Sequence, residues 1–159
     1  MGEYEFTRSL LSRAQVYADH SSTCEKVKVG SVIVTPQDYL IFGSNHGCGY
    51  KCTSKGCYRK RLYGDNSKNH RLPSDCMAIH SEVDAICKAA KIGKRLDNAA
   101  IVVTRYPCEA CARAIVESGI KIVAYGRKEK ISDITQKIFD SYNVTVQHID
   151  DWNYADNNS

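Results

Sequence analysis

Apolar residues recur at three- and four-residue intervals over the first stretch of the chain. Phe6, Leu10, Leu11, Ala14 and Tyr17 form one stripe, which predicts a packing helix from about Glu3 to Ala18. Ser21-Ser22-Thr23 breaks that pattern. Val29 to Val34 is short and β-branched, Thr35-Pro36-Gln37-Asp38 is a turn signal, and Tyr39 to Gly43 is apolar again, so the segment reads as a β-hairpin. Gly43-Ser44-Asn45-His46-Gly47 follows as a flexible polar loop.

The second half alternates. A helical pattern from Ile79 to Ala90 places Val83, Ile86 and Ala90 on one side and stops at Gly93. Ala99 to Thr104 is apolar along its length, as a buried strand would be. Cys108 to Glu117 predicts a helix on Ala112, Ile115 and Val116 that ends at Gly119, and Ile120 to Tyr125 a further strand. A last helix from Ile131 to Tyr142 uses Ile131, Ile134, Ile138 and Phe139, before a strand from Val144 to Ile149. The polar, acidic tail from Asp150 is expected to fray. Strands alternating with helices after a hairpin imply an α/β fold, a mixed sheet flanked by helices.

At 159 residues the chain is expected to be a single domain, 1–159, large enough to bury a real core. Its 43% hydrophobic and 25% charged residues are ordinary for a globular protein and argue against disorder. No apolar run approaches the roughly 18 residues of a membrane span, and Met1 to Phe6 lacks the basic and apolar regions of a signal peptide. Eight cysteines without such a signal suggest reduced thiols and metal ligation, hence a cytoplasmic protein. A net charge of +4 suits an anionic small molecule but is too mild to point to nucleic acid.

The chemistry lies in two short runs, His80-Ser81-Glu82 and Pro107-Cys108-Glu109-Ala110-Cys111. Zinc takes a tetrahedral shell of imidazole nitrogen and thiolate, and a catalytic zinc keeps its fourth position for water. His80, Cys108 and Cys111 supply three ligands. Cys-x-x-Cys at a helix start directs both sulfurs at one ion, where the helix dipole favours thiolate. Glu82, two residues past the histidine, can reach the water without replacing it and so carry protons to a leaving group. A lone Cys-x-x-Cys could equally be half of a structural zinc site or a redox pair. With His-x-Glu upstream, the combination is the signature of zinc nucleobase deaminases. For the two helices to share one ion, their N-termini must meet on one face of the sheet.

Residues from about 46 to 76 form a Cys/His-rich insertion without sustained period. So long a loop in a compact domain is usually functional or tied down. The candidate tie is a second, structural zinc drawn from Cys24, Cys52, His70 and Cys76, with Cys48 and Cys57 as rivals; unliganded thiols are the alternative. Arg59-Lys60-Arg61 could attract a phosphate or be a solvated face. Arg105, Arg127 and Lys128 border the expected pocket mouth, and each could be plain surface. Asn45, beside glycine-rich sequence, reads first as a turn residue and alternatively as a partner for a ribose hydroxyl.

Taken together, these residues resemble the deoxycytidylate deaminase family, within the wider cytidine deaminase fold. The resemblance runs through Lys28-Val29-Gly30, Gly43-Ser44-Asn45, Cys76-Met77-Ala78-Ile79-His80-Ser81-Glu82, and Pro107-Cys108-Glu109-Ala110-Cys111-Ala112 on to Ser118-Gly119-Ile120. It implies a three-layer sandwich with a central mixed five-stranded sheet. It also implies conversion of dCMP to dUMP and ammonia in pyrimidine deoxynucleotide synthesis, homo-oligomers, a second zinc in members with a cysteine-rich insertion, and dCTP and dTTP as effectors. By the same resemblance Asn45 and Ser81 stand at the substrate, Asn45 at its sugar. Ser81 replaces the family's usual Ala between His and Glu, a small change. Asp84 replaces its common Asn and adds a negative charge where a phosphate or effector would feel it, which leaves mono- against triphosphate preference open. Three alternatives stand beside dCMP deamination: action on dCTP, a polynucleotide or tRNA deaminase, and a non-catalytic zinc-stabilised binding module. No alternation of aromatic with basic residues of the single-strand-binding kind supports the second.

Overall fold

The computed structural model describes residues 2–47, 57–58, 76–128 and 131–152. Helix α1 (Glu3–Ser21) precedes the hairpin β1 (Gly30–Val34) and β2 (Leu40–Ser44). Two short strands, β3 (His46–Gly47) and β4 (Ala78–Ile79), lead into α2 (Ser81–Lys91). Then come β5 (Ala100–Arg105), α3 (Glu109–Glu117), β6 (Ile122–Arg127), α4 (Asp133–Ser141) and β7 (Thr145–His148).

Five strands form one sheet in the order β2-β1-β5-β6-β7. The hairpin is antiparallel and β1 also pairs antiparallel with β5, whereas β5–β6 and β6–β7 are parallel. The sheet is therefore mixed, and helices cover both faces. On one, Leu10, Leu11 and Ala14 of α1 pack against Val32, Val102 and Ala124. On the other, Ala85 and Ala89 of α2, Ala112 and Ile115 of α3 and Phe139 of α4 pack against Ile33, Ile101, Val103 and Val123. Alternate residues of β1, β5 and β6 thus feed two cores, as the two-residue side-chain period requires. The architecture is the expected three-layer sandwich, a central mixed five-stranded sheet between two layers of helices.

Several expectations are corrected. Gly43-Ser44-Asn45-His46-Gly47 is not a flexible loop: Gly43 and Ser44 finish β2, and His46–Gly47 pairs antiparallel with Ala78–Ile79. Phe6 is 41% exposed, and the buried stripe of α1 is Leu10, Leu11, Ala14 and Ala18. Helix α2 buries Ala85 and Ala89 together with Ser81, Glu82 and Asp84, while Val83 and Ile86 are half-buried and Ala90 is exposed. Its inward face is polar in the first turn, so apolar spacing alone points to the wrong side. In α4 the burial falls on Phe139 and Thr135, and Ile131 and Ile134 are exposed.

The chain beyond β7 does not fray at once. Trp152 is buried, its Nε1 donates to Ser12 Oγ at 3.1 Å, and its ring lies so close to Gly126 that a side chain there would overlap it. Tyr4 Oη donates to Asp151 at 2.6 Å, which ties the end of the described chain back to α1. The indole covers apolar surface that β6 and α1 would otherwise leave open.

Candidate metal and active site

His80 and Cys108 occupy equivalent positions, each the residue immediately before a helix, with extended backbone (φ −74°, ψ 153° and φ −76°, ψ 170°). The two helix N-termini meet on one face of the sheet, as expected. Nδ1 of His80 lies 3.5 Å from Cys108 Sγ and 3.4 Å from Cys111 Sγ. Among the described residues these are the only three candidate ligands whose donor atoms all fall within 4.8 Å of one another.

Tetrahedral zinc with ordinary Zn–N and Zn–S bonds separates a nitrogen ligand from a sulfur ligand by about 3.6 Å. The donor set and its spacing therefore fit zinc. Glu82 is not part of that set, although its carboxyl lies close to Cys111.

The charges at the site are shaped by these contacts. A hydrogen bond shared with Cys111, assisted by His80, pulls the Cys108 thiol down to about 3 against the opposing effect of burial. The same shared hydrogen bond, with burial and nearby Glu82, pushes Cys111 up. Cys108 is the thiol of the pair whose pKa is held down. Its hydrogen bond also raises His80, with burial opposing. Burial raises Glu82 above the usual carboxylate range, and only 4% of the residue is exposed. Ser81 Oγ donates to Glu82 Oε2 at 3.1 Å, holding one carboxyl oxygen.

Contacts from β1 and β2 fix the first turn of α2. Ser31 Oγ, fully buried on β1, donates to the Ser81 carbonyl at 2.8 Å. Gly43 of β2 presses against the same carbonyl. Asp84 Oδ2 accepts from the Ser44 amide at 3.0 Å and from Lys88 Nζ at 2.7 Å. Asp84 is thus a charge-paired strut between α2 and β2 and does not line the cleft, so its replacement of asparagine adds no bare negative charge there.

A cleft of about 250 Å³ opens beside the three ligands, walled by Val27, Val29, Asn45, Met77, Ala78, His80, Ser81, Glu82, Arg105, Tyr106 and Cys108, with Cys24, Cys57 and Cys76 also on its lining. Asn45 is a latch rather than a turn residue. Its Oδ1 accepts from Ser22 Oγ at 2.6 Å and from the Val29 amide at 2.8 Å, and its Nδ2 donates to the Val27 carbonyl at 2.8 Å. It is buried yet lines the cleft, and its hydrogen bonds tie down residues 22–29. Of the proposed second-zinc ligands, Cys24 and Cys76 line this cleft; Cys52 and His70, like Cys48 and Arg59-Lys60-Arg61, lie outside the described residues. Arg105 lines the cleft, whereas Arg127 and Lys128 do not.

Sequence reasoning missed Ser31 and Tyr106, and it marked Gly43 without its contact to the Ser81 carbonyl. Only the alternation of β1, which puts a serine on an otherwise apolar inward face, hinted at the first.

Residues 5–127 match the family described as cytidine and deoxycytidylate deaminase zinc-binding region. The chain is 32% identical to ComE operon protein 2 of Bacillus subtilis over 131 residues, 81% of this chain and 64% of that protein. It is 33% identical to the deoxycytidylate deaminase of Mycobacterium phage D29 over 116 residues, 70% of this chain and 87% of that protein. Its fold resembles the crystal structure of dCMP deaminase from the cyanophage S-TIM5 in complex with dCMP and dUMP, with a TM-score of 0.71, 22% identity, and coverage of 93% of this chain and 98% of that one. The chain spans just under two thirds of the Bacillus protein's length.

Proposed function

As the chain belongs to the cytidine and deoxycytidylate deaminase family, we propose that it hydrolyses the exocyclic amine of dCMP, giving dUMP and ammonia. The observation that carries this reading is the three-ligand set itself: one imidazole and two thiols at zinc spacing, with a buried carboxyl beside them and outside the set. His80, Cys108 and Cys111 would hold the zinc. When bound, such an ion supplies Lewis acidity that brings the pKa of a water to about 7.

The protein's own groups do the rest. Glu82, held above the usual carboxylate range by burial, is suited both to take a proton and to give it back. It accepts one proton from the attacking water and delivers it to N3 of the cytosine, then takes the second proton from that same oxygen and passes it to the departing amine, so that C4 is left with a carbonyl and ammonia leaves neutral. Ser81 Oγ orients the carboxyl for these transfers by holding Oε2. Asn45, anchored on three sides, places its remaining amide N–H for the sugar. Val27, Val29 and Ala78 line an apolar wall that excludes bulk water from the base.

The same reading takes 1–159 as one deaminase domain that acts in the cytoplasm as a homo-oligomer, under dCTP and dTTP control. Cytoplasmic action is compatible with the described helices, none of which is long and apolar enough to cross a membrane. A second, structural zinc on Cys24, Cys52, His70 and Cys76 would tie the insertion to the cleft; Cys24 and Cys76, both on the cleft lining, support it.

The decisive experiment offers dCMP, dCTP, cytidine and a cytosine-containing oligonucleotide in parallel to the zinc-loaded protein and follows ammonia. Preferential release from dCMP supports the proposal. Preference for the oligonucleotide would make the chain a polynucleotide deaminase, and zinc without ammonia from any substrate would make it a binding module.

A further inference from the structure

The two cysteines of the site are held differently. Cys111 lies within α3 and is buried, so the helix itself fixes its sulfur. Cys108 stands one residue outside the helix and is exposed, so its position depends on how the chain enters α3. That entry is flanked by Tyr106 and Glu109, and α4 holds both of them.

Ser132, the residue immediately before α4, donates through Oγ to Glu109 Oε1 at 2.7 Å. One turn further on, Gln136 Oε1 accepts from Tyr106 Oη at 3.3 Å. Residues four apart share a helix face, so both bonds come from one side of α4. The Gln136 amide is held from behind: its Nε2 donates to Asp140 Oδ1 at 2.8 Å, which aims the carbonyl oxygen at Tyr106. Tyr106 is in turn fixed to the sheet. Its buried ring meets Tyr125 of β6 edge to face with centroids 4.8 Å apart, and its amide donates to the Arg127 carbonyl at 3.0 Å. Cys108 is thus bracketed: Tyr106 joins α4 to β6 on one side of it, and Glu109 joins α4 to α3 on the other. Neither Ser132 nor Gln136 lines the cleft, so what they contribute passes through Tyr106 and Glu109.

We propose that α4 is a clamp that preforms the metal site, with Ser132 and Gln136 as positioning residues that set the entry of Cys108 into α3 and so how tightly zinc is held. The proposal rests on His80, Cys108 and Cys111 being the zinc ligands and is independent of which amine is hydrolysed. A ligand whose backbone is already in place loses little conformational freedom when the metal binds, whereas a loose one must be ordered at that moment. Groups that orient metal ligands typically change affinity by about 10–100-fold when removed. Ser132 and Gln136 act through a neighbouring residue, which puts their effect at the lower end of that range.

The test measures metal binding, which needs no turnover. Zinc affinity of the full chain is read by competition with a chromophoric chelator, counting only the ion that Cys108→Ser removes. The variants are Gln136→Met, Tyr106→Phe, the two combined, Ser132→Ala and Ser132→Thr. Methionine keeps the length of Gln136 and removes the acceptor. Affinity should fall about 10-fold in Gln136→Met, Tyr106→Phe and Ser132→Ala. The combined variant should lose no more than either single one, because both remove the same hydrogen bond. Ser132→Thr, which keeps the hydroxyl, should bind zinc nearly as the wild type does. Unchanged affinity in Gln136→Met and Ser132→Ala, whatever their Tm, would make α4 packing alone and overturn the proposal, as would additive losses in the combined variant. If the Gln136 variants do not fold, the Ser132 pair decides: a loss in Ser132→Ala that Ser132→Thr restores supports the clamp, and no loss overturns it. A wild type holding no ion that depends on Cys108 fails the zinc reading and the proposal with it, whereas zinc bound equally by wild type and variants fails the proposal alone.

Discussion

Gly43 lies directly beneath Ser81: a side-chain carbon on Gly43 would overlap the Ser81 carbonyl and approach the Ala85 amide to 2.8 Å. The edge strand β2 thus sets the height at which α2 begins, and with it the positions of His80 and Glu82. Gly43→Ala should push the first turn of α2 off the sheet. Misplacement on an ångström scale predicts a fall in turnover of about 10²-fold, exceeding what the loss of stability accounts for. Parallel measurement of kcat and Tm checks it; an alanine variant with normal turnover would show that the contact does not position the site.

Lys88 supports the same turn by holding Asp84 against β2. Burial lowers its pKa, but hydrogen bonds to Asp84 and Tyr17 more than offset this, and the net shift is upward. A cationic group with a raised folded-state pKa contributes stability that is full below its unfolded pKa, about 10.4, and is lost as pH rises through the folded value. Wild-type Tm should therefore fall on the alkaline side of pH 10 more steeply than that of Asp84→Asn. Parallel Tm–pH curves would remove Asp84 as the strut.

Trp152 and Gly126 offer a coupled pair. Trp152→Ala should cost about 3–5 kcal/mol, because a buried indole is removed from between β6 and α1. Gly126→Ala should be destabilising with the indole in place and nearly harmless without it. Denaturation of the two single variants and the double variant measures the coupling; additive effects would mean the ring is free to move aside.

Metal content checks the second zinc. With both sites filled the purified chain should hold roughly two zinc ions, and Cys108→Ser and Cys76→Ser roughly one each, the former inactive and the latter less stable. A wild-type content of one ion, unaffected by Cys76→Ser, would leave the insertion without its tie.

Much of this was legible from residue order because the relevant signals are local. The His-x-Glu and Pro-Cys-x-x-Cys runs each fit within one helical turn, and the four described helices and the hairpin followed from apolar spacing. What escaped depends on register between distant segments. Ser31 and Ser81 are 50 positions apart, and nothing near either announces their hydrogen bond. The face of α2 was misjudged because its first turn turns polar side chains inward, where the site needs them, so hydrophobicity no longer marks the inside. Trp152 follows an acidic run that suggests solvent, yet it is held by a glycine on β6 and a serine on α1.

The proposed function depends on Glu82 acting on protons beside a zinc that it would not ligate. The most direct measurement is ammonia release from dCMP by Glu82→Gln at a zinc content matched to the wild type. Glutamine preserves the shape and removes the titratable proton, so zinc should be retained and turnover should fall by at least about 10²–10⁴-fold. Wild-type turnover in that variant, or loss of its zinc along with the carboxylate, would contradict the account.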